Sequence, residues 1–290
     1  MPSLKDSASI VKKIEHMEYQ VLKVFVSSIK HHEIINNHNI LSYSKLHKDR
    51  VEYALESLLK LKLIAKTEKG FKLLTGGLDV YALKILVDSG IILGIGNSLG
   101  IGKESDVVEA VSEIDQKRAV KFFRIGRISF TDTKRKRSLE KNKNVNNWLL
   151  INIEAAKREY DFLVKLNSTK MNIATPYFRS MHSIVMNRIN GVRLIEIRNI
   201  QDPLEIFYKV FKQIKIAYKE NIINGDLSEY NILLDDNNDI FIIDWPQAVT
   251  LEHPNAEFLI RRDIHNVIRY FTRKYDLNID ENSCYNSLLK

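Results

Sequence analysis

Two carboxylates and one amide stand at a spacing that could transfer a phosphoryl group from ATP. Asp226 and Asn231 bracket a short loop, and Asp244 stands thirteen positions after Asn231 at the end of the apolar run 240–243. Phosphoryl transfer needs one carboxylate beside the attacking group, and an Asn and a second Asp to hold Mg²⁺ on the phosphates. The pattern therefore predicts Asp226 and Asp244 as catalytic residues, with Asn231 and Asp244 as ligands of a hard cation. Either half alone would be more simply explained as a hairpin with acidic turns.

A glycine-rich run upstream could bind the phosphates. Residues 91–93 are apolar and predict a strand, and the run that follows them ends at residues 102–106. Glycines let backbone amides approach phosphate oxygens closely, and neighbouring Lys and Ser side chains add donors. The run does not contain GxxxxGK(S/T), which argues against a P-loop NTPase. The predicted phosphate-binding residues are Gly100, Gly102, Lys103 and Ser105.

A lysine within an apolar strand joins the predicted catalytic and nucleotide-binding residues. Lys121 lies in the predicted strand 119–123, where a buried ammonium group is costly unless a carboxylate pairs with it. Glu159, in a helix predicted over residues 148–166, is the best candidate for that partner. The order of glycine-rich loop, strand Lys, helix Glu, Asp…Asn and Asp is the order found in protein kinases.

Longer motifs point to one family. They are GIGKESDV at 100–107, RISF at 127–130, GDLSEYN at 225–231, IDWPQ at 243–247 and RDIHNVIRYF at 262–271. Through these motifs the chain closely resembles the second subfamily of the RIO atypical kinases over nearly its whole length. An ordinary protein kinase is not expected, because Asp244 is followed by Trp-Pro instead of Phe-Gly and only forty-six residues remain.

The resemblance implies what the site binds and does. It implies ATP with Mg²⁺, for which Mn²⁺ could substitute, and a serine/threonine kinase or ATPase acting in small ribosomal subunit maturation. It places adenine at a hinge over 185–189, including Met186 and Ile189, where backbone groups hold the base. Asp244 could itself accept the phosphoryl group, which water would then release. Asp263 would hold the catalytic-loop backbone, although a surface salt bridge is the alternative.

Three residues depart from the family pattern. Asn224 stands where kinases usually carry His, Asn187 where a hinge Glu is frequent, and Val108 where an aromatic residue is common. None of these changes removes a group that touches the transferred phosphoryl, so they need not abolish activity. The lack of a long tail after the kinase core is more similar to archaeal members than to eukaryotic ones.

The predicted fold class is α+β, a winged helix followed by a reduced bilobal kinase-like (RIO) domain. Within residues 1–85, an amphipathic helix over 10–29 and two further helices precede a hairpin with its turn at 67–70. A linker helix is expected to begin near Leu78. The kinase domain then covers residues 86–290, with a small lobe at about 86–186 and a large lobe at about 190–290.

The net charge of +8 is unevenly distributed. Residues 1–85 hold 14 Lys and Arg against 9 Asp and Glu, and residues 117–143 hold 11 against 2. Such clustering favours a phosphate-rich partner, which the resemblance identifies as the small-subunit precursor and its rRNA. The alternatives are a solvated basic face and a winged helix used for protein contacts.

Compartment and competing classes follow from the remaining features. A single cysteine, no signal-peptide pattern and no apolar run of membrane-spanning length predict a cytoplasmic protein without a membrane partner. The sequence does not predict an oligomeric state. One alternative is a winged-helix nucleic-acid-binding regulator whose kinase-like domain senses nucleotide. Another is a small-molecule kinase of the choline or aminoglycoside type, which would need further helices after Asp244.

Overall fold

The computed structural model describes residues 2–113, 117–126 and 147–289, which belong to two compact units. Unit 1 is Met1–Lys157 with Phe178–Val185, and unit 2 is Arg158–Tyr177 with Met186–Lys290. The RISF motif and the basic run at 131–137 lie outside the described residues. Among the helices in the described ranges, none is long and apolar enough to cross a membrane.

Unit 1 begins with the winged helix. Its elements are α1 (Leu4–Val11), α2 (His16–Ser28), β1 (Ile34–Ile35), α3 (Asn37–Ser44), α4 (Lys48–Lys60), β2 (Ile64–Thr67) and β3 (Gly70–Leu73), with strand order β1-β3-β2. The predicted single helix over 10–29 is wrong, because residues 12–15 are not helical and separate α1 from α2. The Glu18 carboxylate accepts the N–H of Glu15 (2.8 Å) and so starts a new helix at His16. The helices and the hairpin confirm the winged-helix prediction.

Helix α5 (Thr75–Asp88) connects the winged helix to the rest of unit 1. Its first half contributes Leu78, Val80 and Tyr81 to the winged-helix core. Its second half contributes Leu83 and Leu86 to a separate core beneath the next sheet. Because both halves are buried against different cores, α5 is a structural part of both.

The second sheet of unit 1 carries the glycine-rich run. Its strands are β4 (Gly94–Ile101), β5 (Ser105–Val111), β6 (Lys117–Phe123), β7 (Pro176–Ser180) and β8 (Ser183–Asn187), in the order β4-β5-β6-β8-β7. The predicted strand at 91–93 is wrong: those residues connect α5 to β4, and the glycine-rich run itself forms the edge strand. Two register shifts between β4 and β5 accommodate this irregular strand.

Successive residues of a strand face opposite sides of the sheet, and β5 shows this alternation. Val108 and Ala110 are buried in the core that α5 covers, on the same side as Asp106. Ser105 and Val107 therefore face the other side. Helix α6 (Trp148–Asn167) follows and includes the predicted helical residue Glu159.

Unit 2 holds the second half of the motifs. Its elements after β8 are β9 (Gly191–Arg193), a 3-10 turn (Leu194–Glu196), α7 (Pro203–Lys219), β10 (Ile232–Asp235), β11 (Ile240–Ile242), α8 (Ala256–Tyr275) and α9 (Glu281–Leu288). The three strands form a sheet in the order β11-β10-β9. Helices α7 and α8 pack together through Phe207 and Phe271, whose ring centroids are 5.7 Å apart.

Candidate phosphoryl-transfer site

The loop at 224–231 and the end of β11 are joined through the backbone. Ile223 and Val249 form an antiparallel bridge with N···O distances of 2.9 and 3.0 Å, which ties the segment before the loop to the segment after Asp244. The N–H of Ile243 donates to the carbonyl of Asn231 (2.9 Å). These bonds bring the predicted residues Asp226, Asn231 and Asp244 into one region of unit 2.

Asn224 links the two aspartates directly. Its Nδ2 donates to the carbonyl oxygen of Asp244 (3.0 Å), and its Oδ1 accepts the N–H of Asp226 (3.2 Å). Asn224 is only 5 % exposed, so both bonds are shielded from water. The sequence marks this residue as a departure from the kinase pattern, and the structure shows an amide that fixes two peptide groups at once.

Helix α8 holds the backbone on both sides of Asp226. The Asp263 carboxylate accepts the N–H groups of Gly225 (2.7 Å) and Leu227 (3.0 Å), which confirms the placement implied by resemblance. Gly225 has φ +74°, and a Cβ there would lie 2.9 Å from the carbonyl oxygen of Gln247. The loop therefore requires glycine beside Asp226, whose side chain stays exposed.

Two further residues of α8 complete this support. The Arg262 guanidinium donates to the carbonyl of Gly225, and Nδ2 of Asn266 donates to the carbonyl of Leu227 (3.1 Å). Sequence reasoning assigned neither residue a role, although both stand in the motif at 262–271. The available signal was the helical spacing: polar residues at i, i+1 and i+4 lie on adjoining parts of one helix face, beside the apolar positions that the helix buries.

Asn231 and Asp244 have the donor types that Mg²⁺ prefers. Nδ2 of Asn231 donates to the carbonyl of Asp226 (2.9 Å), which leaves Oδ1 as the oxygen available to a cation. Asp244 has a left-handed backbone (φ +70°). The next residue, Trp245, is 1 % exposed and donates through Nε1 to the carbonyl of Ile242 (3.1 Å), so it anchors that strained turn.

These two side chains fit a magnesium ion that takes its other ligands from nucleotide phosphates and water. Mg²⁺ is commonly bound through one or two carboxylates plus substrate phosphates. Within the described ranges, no cluster of three or more His, Cys, Asp or Glu side chains could hold a metal by itself. Asn231 and Asp244 supply an amide oxygen and a carboxylate oxygen, the donor types expected for a cation that a phosphate ligand also holds.

The glycine-rich hairpin of unit 1 has a tight tip. The N–H of Gly102 donates to the carbonyl of Ser105 (2.8 Å), and Gly100 is in register with Val107. Gly102 and Lys103 are exposed, and Ser105 is half-buried. The four predicted phosphate-binding residues thus lie together at one end of the β4–β5 hairpin.

Lys121 lies on β6 in register with Val107, on the same side of the sheet as Ser105. It is 6 % exposed, and its Nζ lies 4.8 Å from the centroid of the Phe123 ring. Glu159, on α6 in unit 2, is 2 % exposed. Both charged groups are buried, and their pairing stays a prediction.

The predicted hinge residues fall at the end of β8. Met186 is buried, and Ile189, two residues after the strand, is half-buried. Asn187, at the departure from the family pattern, exchanges two hydrogen bonds with Thr175: its N–H donates to the Thr175 carbonyl (3.0 Å), and its Oδ1 accepts the Thr175 N–H. The substituted side chain therefore braces the neighbouring backbone.

Burial perturbs one carboxyl group of this site strongly. Desolvation raises the pKa of Asp263 to about 6, although the N–H groups of Gly225 and Leu227 and the charge of Arg262 oppose the shift. Asp263 is therefore the group whose protonation would disturb the catalytic loop near neutral pH.

A five-stranded sheet with a glycine-rich hairpin and a strand lysine, followed by an Asp…Asn…Asp loop region, defines an enzyme of the protein-kinase class. The chain belongs to the RIO family of atypical protein kinases. The RIO domain model matches residues 106–284, and the Rio2 N-terminal model matches residues 11–89. The prediction of the second RIO subfamily is thereby confirmed, and the enzyme is an atypical serine/threonine protein kinase.

Relatives and solved structures agree with this assignment. The chain is 36 % identical to the RIO-type serine/threonine-protein kinase Rio2 of Methanocaldococcus jannaschii, covering 87 % of this chain and 95 % of the relative. It is 29 % identical to rio2 of Schizosaccharomyces pombe, covering 91 % and 78 %. The Rio2 kinase–ADP/Mg²⁺–phosphoaspartate complex from Chaetomium thermophilum superposes with a TM-score of 0.83 at 26 % identity, covering 96 % of this chain and 88 % of that one.

The raised pKa of Asp263 predicts opposite pH trends for stability and turnover. The native state binds this proton more tightly than the unfolded chain, so the contribution to stability is complete below pH 3.8 and is lost as pH rises through about 6. The loss should be on the order of 2–3 kcal/mol at 1.36 kcal/mol per pKa unit. Turnover should rise over the same interval, because the ionised carboxylate accepts both N–H groups best.

The matched control is Asp263→Asn, which does not titrate and places an NH₂ group against one of the two N–H donors. Urea unfolding from pH 4 to 7 should show a falling stability difference between wild type and variant. The variant should turn over slowly at every pH. Parallel stability curves for the two proteins would show that Asp263 does not titrate in this range.

Proposed function

We propose that this chain binds Mg-ATP, transfers its γ-phosphoryl group through a transient phospho-Asp244, and acts in maturation of the small ribosomal subunit. The observation that carries the chemical part is the single hydrogen-bonded assembly of Asp226, Asn231 and Asp244 in unit 2. The Mg²⁺ and phosphoaspartate of the Chaetomium relative support the same chemistry.

The nucleotide is assigned to the residues that the sequence predicts for it. Backbone groups at residues 100–102, with Lys103 and Ser105, bind the phosphates, and Lys121 pairs with the phosphates while Glu159 balances its charge. Adenine lies against the backbone of Met186 and Ile189. Asn231 and Asp244 would hold Mg²⁺ (or Mn²⁺), and the bound cation would neutralise negative charge on the nucleotide phosphates.

Two steps account for turnover. A carboxylate oxygen of Asp244 attacks the γ-phosphorus, the bond to the β-phosphate oxygen breaks, and ADP leaves with that electron pair. Water, oriented or deprotonated by Asp226, then attacks the acyl phosphate and releases inorganic phosphate. When a protein hydroxyl replaces water or Asp244 as the acceptor of the phosphoryl group, Asp226 receives the proton of that hydroxyl. The enzyme then acts as a serine/threonine kinase.

The phospho-Asp244 step is tested by the chemistry of the label. Protein incubated with γ-labelled ATP and Mg²⁺ should carry label that hydroxylamine and base remove, since an acyl phosphate is labile to both. Label that survives acid and hydroxylamine would instead identify Ser or Thr and refute the intermediate. Asp244→Ala should carry no hydroxylamine-sensitive label.

The two aspartates should differ in nucleotide binding. Asp226→Ala and Asp244→Ala should each lower turnover about 100-fold or more, the scale of removing a group that acts in the transition state. Asp244→Ala should also weaken Mg-ATP binding because a metal ligand is lost, whereas Asp226→Ala should leave it nearly unchanged. Calorimetric titration with Mg-ATP checks this. Equal, large losses of affinity in both would contradict the assigned roles.

Lys121 and Glu159 should behave as one unit. Lys121→Met and Glu159→Gln should each lower turnover, and the double variant should cost little more, because contacting partners are non-additive. Glu154, which is exposed on the same helix, provides the matched control: Glu154→Gln should be additive with Lys121→Met. Additive losses for Lys121 and Glu159, with coupling at Glu154, would reassign the partner.

The ribosomal part of the proposal depends on the two basic regions. Neutralising Lys134, Arg135, Lys136 and Arg137 together should weaken binding to small-subunit rRNA and flatten its salt dependence. The log–log slope should fall by roughly 3, given about 0.7–0.9 per neutralised phosphate. ATP hydrolysis in isolation should stay unchanged. Anisotropy titrations at several salt concentrations measure the slope.

A comparison variant separates the two regions. Lys66 and Lys69, both exposed on the winged-helix hairpin, can be neutralised in the same way. An unchanged slope in the fourfold variant with a reduced slope in this one would confine RNA contact to the winged helix. A preference for one duplex DNA sequence, without ATP turnover, would favour the nucleotide-sensing regulator instead.

A further inference from the structure

A buried cluster of charged side chains lies within unit 1, away from the groups assigned to chemistry. Arg124 follows β6, Asp79 lies on α5, Asp106 on β5, and His182 in the β7–β8 turn. Their side chains are 4 %, 1 %, 12 % and 1 % exposed. Desolvating several charges is expensive unless geometry and hydrogen bonding are good, and apolar residues of similar size often serve stability equally well. Such a cluster therefore invites a specific role.

Arg124 is the centre of the cluster. Its Nη1 and Nη2 donate to the two carboxylate oxygens of Asp79 (2.8 and 3.0 Å), and its Nε donates to Asp106 (3.0 Å). Nε2 of His182 lies 2.8 Å from Asp79. One guanidinium thus uses a two-pronged pair on one carboxylate and a third N–H on another, which fixes both carboxylates in orientation.

Burial and partners support one charge assignment. Burial lowers the pKa of His182, so its imidazole is neutral and donates to Asp79. Burial alone would raise the pKa of Asp79, but Arg124 and His182 hold it below its usual value. The guanidinium of Arg124 therefore links the two carboxylates, and losing its bond to one of them changes the surroundings of the other.

The cluster connects the winged helix to the glycine-rich hairpin. Asp79 stands between Leu78 and Val80, which belong to the winged-helix core. Asp106 directly follows Ser105, and its side chain points to the opposite side of β5 from that serine. The backbone N–H of Arg124 also donates to the carbonyl of Glu104 (2.6 Å), so Arg124 holds the tip of the glycine-rich hairpin through both side chain and main chain.

We propose that Arg124 is a positioning residue that couples the winged helix, through Asp79 of α5, to the phosphate-binding hairpin, through Asp106. The coupling rests on the proposed nucleotide role of that hairpin. A partner that shifts α5 when it binds the winged helix changes the orientation of Arg124. That change moves the tip of the hairpin, including the Gly102 backbone and the Ser105 side chain. By thermodynamic linkage, nucleotide binding changes the affinity for that partner by the same factor.

The test compares Asp79→Asn and Asp106→Ala with Val80→Ala, using the full chain. Val80 is fully buried on the same helix, so Val80→Ala matches the loss of packing without touching the cluster. Both cluster variants should raise the Kd for Mg-ADP about fivefold or more, the lower end of ordinary coupling between sites. Val80→Ala should lower the melting temperature at least as much and leave the Kd unchanged.

Amide hydrogen exchange gives a second, local measurement. Exchange at residues 102–105 should accelerate in Asp79→Asn, although Asp79 lies on a helix outside the hairpin, and should stay at the wild-type rate in Val80→Ala. If Asp79→Asn does not fold, Arg124→Lys keeps the charge, loses the two-pronged geometry, and should give the same two changes.

The outcomes separate the coupling from the nucleotide role. Wild type that binds no Mg-ADP would overturn both. Wild type that binds Mg-ADP, with cluster variants that behave like Val80→Ala in Kd and exchange, would overturn the coupling alone. Asp79→Asn and Asp106→Ala should each weaken Mg-ADP binding, and the double variant should weaken it no further. That result would identify Arg124 as the link that the two carboxylates share.

Discussion

The carboxylate of Asp263 accepts the two N–H groups on either side of Asp226, and the geometry of unit 2 depends on this arrangement. A catalytic side chain must be exposed to its substrate, yet its backbone must not move. The hydrogen bonds to Gly225 and Leu227 achieve both, because the buried Asp263 carboxylate holds the main chain on either side of Asp226 and leaves the Asp226 side chain exposed to solvent. Gly225 is required for the same reason, since a Cβ would collide with the Gln247 carbonyl.

The second aspartate is fixed by a different device. Asp244 adopts a left-handed backbone, which an L-residue holds only when its surroundings determine it. The Asn224 amide takes its carbonyl on one side, and the buried Trp245 anchors the chain on the other. Because Asn224 also accepts from Asp226, the orientations of the peptide groups at Asp226 and Asp244 are not independent. A neutral amide serves here at every pH, whereas an imidazole would change its donors on protonation.

Residue type and order along the chain predicted which side chains lie together better than local patterns predicted the helices and strands. Asp226, Asn231 and Asp244 are close in sequence, and hydrogen bonds join them in the structure, while their chemical roles stay a prediction. The helix predicted over 10–29 failed because a capping bond at Glu15 outweighs a continuing apolar period. The strand predicted at 91–93 failed because apolar content was taken as the signal, whereas three of the eight residues of β4 are glycines, which interrupt any period of apolar side chains.

What remained hidden were partners far apart in sequence. Arg262 reaches Gly225 across 37 positions and Arg124 reaches Asp79 across 45, and no local pattern encodes either pairing. Asp263, which reaches Gly225 across 38 positions, shares a physical logic with Arg124. In each unit, a loop that must present exposed groups is held from behind by a buried charged side chain that bonds to more than one partner. A buried charge is stable only when all its hydrogen-bond partners are in place. A small displacement of the backbone therefore costs more free energy at a buried charge than at an apolar contact. The two buried charges therefore lie behind the loop at 224–231 and behind the glycine-rich hairpin, where a small displacement of the backbone would move the exposed groups.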